Sequence, residues 1–215
     1  MQIPVIIMAG GKGKRFNFDI IKSKYQEKPL LLLDNKYMIE YVIEAVLNAK
    51  NINKVIIGIS PFTPQTKSIL NAKKLSIEII DTPGIDYHSD ISFVIKKLKF
   101  EITMIIAADI PLIKPEFLDE IIDKYFLFEK PALSVMAHLS LFEQNGLKPT
   151  NIVDLDEYCK NLVPLGINII DGRLIEEPEL NQAILISEKE ELLYNINTVE
   201  DYFRLIKYCK KREII

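Results

Sequence analysis

The sequence predicts an α/β fold, with a mostly parallel central sheet flanked by helices, on three observations. Short apolar, β-branched runs alternate with amphipathic stretches along the 215 residues. That pattern lays parallel strands side by side and returns helices across both faces. A glycine- and cation-rich loop, Met8-Ala9-Gly10-Gly11-Lys12-Gly13-Lys14-Arg15, directly follows the first apolar run. The length and the 48% hydrophobic content fit one domain over residues 1–215, and 27% charged residues exclude a disordered chain.

Taken in order, Ile3-Pro4-Val5-Ile6-Ile7 opens a buried first strand, with Val5–Met8 as its predicted span. Phe16–Glu27 is non-periodic and reads as a loop with room for one helical turn in its middle. Tyr37–Leu47 carries Met38, Tyr41, Val42, Ala45 and Val46 at helical spacing. Further strands are expected at Val55–Ile59, Ile77–Ile80, Met104–Ala107, Leu133–Met136, Gly166–Ile170 and Leu193–Ile196. Pro115 suits the first turn of a helix that runs to Phe128. A last helix starts after Thr198, where Asp201 makes a capping-box-like opening, and buries Tyr202, Phe203, Leu205 and Ile206. Ser140–Tyr158 and Arg173–Leu180 lack periodicity and read as excursions at the sheet's carboxyl edge, where an acceptor is gripped.

The glycine loop suits a triphosphate. Glycine lets backbone amides turn toward an anion, and Lys12, Lys14 and Arg15 neutralise its charge. Ligands of open α/β sheets bind at that edge. The loop is not a Walker A motif, because Arg15 stands where a Ser or Thr must hold magnesium and Met8 where the first glycine belongs. Nor is it a dinucleotide fingerprint, since no glycine lies three residues beyond Gly13.

Four further segments carry chemistry. Lys28, in Glu27-Lys28-Pro29-Leu30, is a compact ammonium able to stabilise an α-phosphate under attack. Asp109 follows the strand Met104–Ala107 and offers the hard carboxylate oxygen that magnesium prefers, although a turn aspartate before Pro111 has the same spelling. Asn197 offers an amide oxygen to the same metal, or simply forms a turn, while Thr198 is explained as the helix cap. Asp81, in Asp81-Thr82-Pro83-Gly84, can accept from guanine N1–H and N2–H2 together, and an Asx turn accounts for it equally well. Gly166, in Leu162-Val163-Pro164-Leu165-Gly166-Ile167-Asn168, stands at a strand start where a ligand can meet backbone.

Other classes are excluded. A net charge of −3 gives no reason for nucleic-acid or anionic-membrane binding. Cys159 and Cys209 form no Cys-x-x-Cys, so a zinc site is not expected. His88 and His138 have no partner motif, and no Gly-x-Ser-x-Gly elbow supplies a hydrolase nucleophile. No apolar run reaches the length of a spanning helix and the start lacks a signal-peptide pattern, so a soluble cytoplasmic protein is expected. Phe16, Phe18 and Tyr87 stand outside the helical core stripes and can pack on a large ring or in loops.

Together these segments resemble the MobA-like nucleotidyltransferases, and within them the archaeal GTP:adenosylcobinamide-phosphate guanylyltransferases. The first and last motifs mark the wider group. The closer match rests on Ser60-Pro61-Phe62-Thr63-Pro64-Gln65-Thr66-Lys67 and on Val163-Pro164-Leu165-Gly166-Ile167-Asn168. The resemblance implies a Rossmann-like nucleotidyltransferase fold, a homodimer, and GMP transfer from GTP to a corrinoid phosphate acceptor. It implies that Ala9 through Arg15 hold the triphosphate, Lys28 stabilises the α-phosphate, and Gly166 lines the GTP site. Magnesium (Mg2+) would be held by Asp109, with Asn197 where a second ligand sits. The segment between Arg15 and Lys28 is longer than usual for the group, and Asp109-Ile110-Pro111-Leu112 is closer to the general group than to the cobamide branch. The alternatives are a molybdenum-cofactor or sugar-phosphate nucleotidyltransferase, and a GTP-binding regulator without turnover.

Overall fold

A computed structural model describes residues 1–155 and 159–214. The apolar runs form one seven-stranded sheet from β1 (Ile3–Met8), β4 (Ile52–Ile59), β5 (Glu78–Asp81), β6 (Ile102–Ala107), β7 (Ala132–His138), β8 (Leu162–Asp171) and β9 (Gln182–Ile186). A short hairpin, β2 (Leu32–Leu33) with β3 (Lys36–Tyr37), lies outside it. The order across the sheet is β5-β4-β1-β6-β8-β7-β9. Every neighbouring pair is parallel except β6 with β8 and β8 with β7. β1 sits centrally, with Ile7 opposite both Ile57 and Ile106, so its carboxyl end opens between two parallel strands.

Six helices accompany the sheet among the described residues: α1 (Met38–Asn48), α2 (Pro64–Ala72), α3 (Tyr87–Leu98), α4 (Pro115–Phe128), α5 (Leu139–Gln144) and α6 (Val199–Arg212). The main core joins the inner sheet face, with Val5, Ile7, Ile57, Ile106, Leu133 and Ile167, to α1, α4 and α6. On the other face α3 packs Ile91, Val94 and Ile95 on Ile6, Ile56 and Ile105, with Ile175 from the segment after β8 beside them. Helices thus lie on both faces, as expected, although the cover is uneven. β8 runs antiparallel between β6 and β7, so it needs no crossover helix, and the outer face of β8 and β7 carries a groove rather than a packed helix.

The sequence reading named no helix at α2 or α3, and it also misplaced the last strand. Leu193–Ile196 is not a strand: a 3-10 turn over Glu190–Leu193 drops Leu192, Leu193 and Ile196 into the core, and burial without a ladder gives the same apolar spelling. The last strand is instead β9, an edge strand that follows the acidic stretch. The Phe16–Glu27 stretch is built of turns and bends, and its last residue precedes a 3-10 turn at Lys28–Leu30. In the Ser140–Tyr158 excursion, α5 forms, while residues 156–158 lie outside the described residues. The capping box at Thr198 and Asp201 is present, with Asp201 N–H donating to Thr198 Oγ1 at 3.2 Å and Thr198 N–H to Asp201 Oδ2 at 2.8 Å.

Candidate active site

The glycine loop leaves β1 pinned to its neighbours. Ala9 N–H donates to Gly58 O at 2.9 Å, Ser60 Oγ donates to Gly10 O at 2.6 Å, and Phe62 N–H donates to Ser60 Oγ at 3.1 Å. Gly13 then turns the chain with φ +60°, and Phe16 N–H closes the turn on Gly13 O at 2.9 Å. Gly10, Gly11 and Lys12 line a cavity of about 270 Å3 together with Phe62, Tyr87 and Asp90. The Lys12 ammonium stands 4.4 Å from the centre of the Phe62 ring.

Beside this loop four polar side chains from distant segments meet. Asp109 extends the end of β6, where Ala108 N–H donates to Met8 O at 3.2 Å. Its Oδ2 pairs with the Lys28 ammonium, and both side chains are largely buried. Asn197 Oδ1 accepts from Arg15 Nη2 at 2.8 Å and from Lys28 Nζ at 3.4 Å. Asn195 Oδ1 accepts from Asn197 Nδ2 at 2.8 Å and so fixes which way that amide points. Ile196 N–H donates to Asp109 O at 3.0 Å, which holds the approach to α6 against the end of β6.

Lys28 is placed by its neighbour. Glu27 is buried, and its carboxylate accepts from Gln65 N–H at 2.8 Å, Thr66 N–H at 2.7 Å and Thr66 Oγ1 at 2.6 Å. Glu27 therefore caps α2 from another part of the chain, while Thr63, the local cap position, makes no side-chain cap bond. Sequence reading gave Glu27 no role, because nothing in its surroundings marks a partner 38 and 39 residues away.

Gly166 also belongs here. Its φ is +74°, and a Cβ there would stand 3.0 Å from Ala107 Cβ and 3.8 Å from Asn195 Nδ2. Asp81 lies elsewhere: its exposed carboxylate pairs with Lys67 on α2, at 2.6 and 2.7 Å, and it does not line the cavity beside the glycine loop. The buried carboxylate at that cavity is Asp90, whose Oδ1 accepts from Gly84 N–H at 2.8 Å. Tyr87, at the start of α3, is partly exposed and lines the same cavity with its ring. Phe16 is buried against Phe18 and Tyr202, which assigns it to packing.

The donor set has room for a hard cation. Asp109 Oδ1 is a buried oxygen without a hydrogen bond among the described residues. No cluster of three or more His, Cys, Asp or Glu suited to a metal occurs among those residues. A divalent ion here would thus rest on Asp109, the Asn197 amide oxygen and substrate phosphates, the sparse protein ligation usual for magnesium.

Residues 5–140 match the MobA-like NTP transferase domain family. The chain belongs to that family. Like its other members, it is a nucleotidyltransferase, with the glycine loop and Asp109 inside the matched stretch. It is 30% identical over 199 residues to the adenosylcobinamide-phosphate guanylyltransferase of Methanocaldococcus jannaschii, covering 91% of this chain and 92% of that one. It is 31% identical over 203 residues to a probable molybdenum cofactor guanylyltransferase of Thermococcus sibiricus, covering 91% and 93%. Among solved structures, a CMP-2-keto-3-deoxy-manno-octonic acid synthetase complexed with CTP superposes with a TM-score of 0.69 at 14% identity, over 99% of this chain and 100% of that one. At that identity the likeness is one of fold. No helix among the described residues is long and apolar enough to cross a membrane.

Proposed function

We propose that this nucleotidyltransferase transfers GMP from GTP to the terminal phosphate of adenosylcobinamide phosphate and releases pyrophosphate. The observation that carries the reading is the meeting of Lys28, Arg15, Asp109 and Asn197 beside the glycine loop. The named relative that is 30% identical over 91% of this chain supports the choice of acceptor.

In this reaction an oxygen of the acceptor phosphate bonds to the α-phosphorus, and the bond from that phosphorus to the bridging oxygen of the β-phosphate breaks. A phosphate monoester is already largely dianionic at neutral pH, with a second pKa of about 6, so no strong base is needed. The chain's task is alignment and charge stabilisation. Lys28 offers its ammonium to the α-phosphate, and Lys12, Lys14 and Arg15 take the charge of the departing pyrophosphate. Asp109 and Asn197 orient Lys28 and Arg15, and they are the residues that would hold magnesium. The ion would supply Lewis-acid help at the phosphate oxygens. Ala9 through Gly13 and Gly166 let backbone approach the nucleotide closely, and Asp81 is retained as a candidate reader of guanine. The same reading carries a homodimer.

The test is pyrophosphate release by purified protein with GTP, magnesium and adenosylcobinamide phosphate, together with detection of the guanylylated corrinoid. Chelating the metal should abolish product. GTP bound but no product formed would overturn the proposal. A second reading, a molybdenum-cofactor guanylyltransferase, is supported by the relative of that name at 31% identity. Competing the two acceptors in one assay separates the readings.

A further inference from the structure

The outer sheet face carries a groove of about 750 Å3, well above the 270 Å3 of the cavity at the glycine loop. Its floor is made by Ile105 of β6, Ser134 of β7, Asn168 and Ile170 of β8, and Gln182 of β9. One wall is α3, through Tyr87 and Ile91, and the other is the segment after β8, through Leu174, Ile175 and Leu180. Tyr87 lines both the groove and the glycine-loop cavity, so the two spaces adjoin there. Gly166 lies two residues before Asn168 on the same outward face of β8, because side chains alternate along a strand.

The chemistry of the floor says what fits. Ser134 Oγ lies 2.8 Å from Asn168 Oδ1 and 2.8 Å from Gln182 Oε1. A hydroxyl has one hydrogen, so it donates to one of these amides, and the other must turn its NH2 toward Ser134. Each amide spends one end on the serine and keeps the other for a ligand. No Lys or Arg lines the groove, and Glu177 and Glu179 stand in its lining. An anionic body is disfavoured, while a neutral one rich in amide donors and acceptors matches.

We infer that this groove binds the neutral, amide-bearing ring body of the acceptor, held by Ser134, Asn168 and Gln182, with the acceptor's phosphate passing Tyr87 toward Lys28 and Asp109. A volume of this size suits a substantial organic ligand. The inference rests on the proposed transfer to a phosphate acceptor, and it adds the residues that select that acceptor.

Steady-state kinetics of Asn168→Ala, Gln182→Ala and the groove-filling Ser134→Leu test it, with GTP affinity and thermal unfolding measured on each variant. Loss of one neutral hydrogen bond corresponds to roughly 2- to 13-fold in affinity. The two alanine variants should therefore raise the acceptor KM by about 5-fold. Ser134→Leu should raise it further, with kcat and GTP Kd within about twofold. Gln182 is exposed at the sheet edge, so its variant keeps the fold even if Ser134→Leu does not. An unchanged acceptor KM in Asn168→Ala and Gln182→Ala overturns the assignment. A change of oligomeric state with an unchanged KM overturns it too and makes the face an interface between copies. If adenosylcobinamide phosphate is not turned over but another phosphate acceptor is, the proposed function fails and the groove is judged on that acceptor's KM. If no acceptor is turned over, both fall.

Discussion

Replacing Glu27 should disable the enzyme through a residue that touches no substrate. Its buried carboxylate takes three hydrogen bonds, from Gln65 N–H, Thr66 N–H and Thr66 Oγ1. Losing an N-cap costs about 0.5–2 kcal/mol, and leaving a buried donor unpaired costs about 1–3 kcal/mol. Because the three bonds are not independent, Glu27→Ala should cost about 3 kcal/mol in total. At roughly 2–4 °C per kcal/mol for a chain of this size, Tm falls by about 6–12 °C. Glu27→Gln keeps one acceptor oxygen and should lose about half as much. Lys28 is the next residue, so at 25 °C, where both variants stay folded, kcat of Glu27→Ala should still drop by at least about 10-fold through misplacement of the ammonium. Thermal unfolding and pyrophosphate release check the two effects separately. A Tm within 2 °C of the unmodified protein, or an unchanged kcat, would refute the reasoning.

Three further substitutions probe other parts of the site and fold. Lys28→Ala should lower kcat by about 10²–10³-fold, the loss typical for one transition-state donor. A loss under fivefold in pyrophosphate release removes Lys28 from the chemistry. Gly166→Ala forces a side chain to φ +74° with its Cβ 3.0 Å from Ala107 Cβ. It should cost about 1–3 kcal/mol in a thermal melt and weaken GTP binding, and an unshifted melt contradicts this. Arg173 holds the carboxyl of Asp171 below its ordinary value through a direct hydrogen bond. A depressed folded pKa stabilises above the unfolded value and loses that stabilisation as pH falls through the folded one. Arg173→Met should therefore lower Tm at pH 6, with the gap closing below about pH 4. A gap that is constant with pH rules out the linkage.

Much of the fold was legible because its strands are short apolar runs and its site residues sit where those runs end. Arg15, Lys28, Asp109 and Asn197 were each visible as a strand-end or loop residue, and the structure brings them together. Asn197 was spelled equally well as a turn former, because its partner Arg15 is 182 positions away. α2 escaped the sequence reading for a related reason: its cap is supplied by Glu27 rather than by its own flank. β9 was hidden by its own pattern, since an edge strand with Ala183, Ile184 and Leu185 all half-buried shows no clean alternation. Leu193–Ile196 misled in the opposite direction, because a 3-10 turn dropped onto a core needs the same apolar residues as a strand. Asp81 ends the edge strand β5, and there its exposed carboxylate pairs with Lys67 of α2, a partner that its own neighbours in the sequence do not announce.

The cluster also limits where specificity can reside. Lys28 and Arg15 are cations, and their partners Asp109 and Asn197 are the groups suited to an ion. In the proposed mechanism all four serve phosphate, which any nucleotidyl transfer contains, so they would supply rate without choosing an acceptor. Discrimination between acceptors needs groups that meet the part of the molecule beyond its phosphate, where an unmade hydrogen bond penalises the wrong partner. On our inference the grooved outer face of β8 and β7 provides such groups, because the antiparallel β8 arrives without a crossover helix to cover it. The reversal of β8 within an otherwise mostly parallel sheet thus leaves the surface on which, in this reading, an acceptor is told apart.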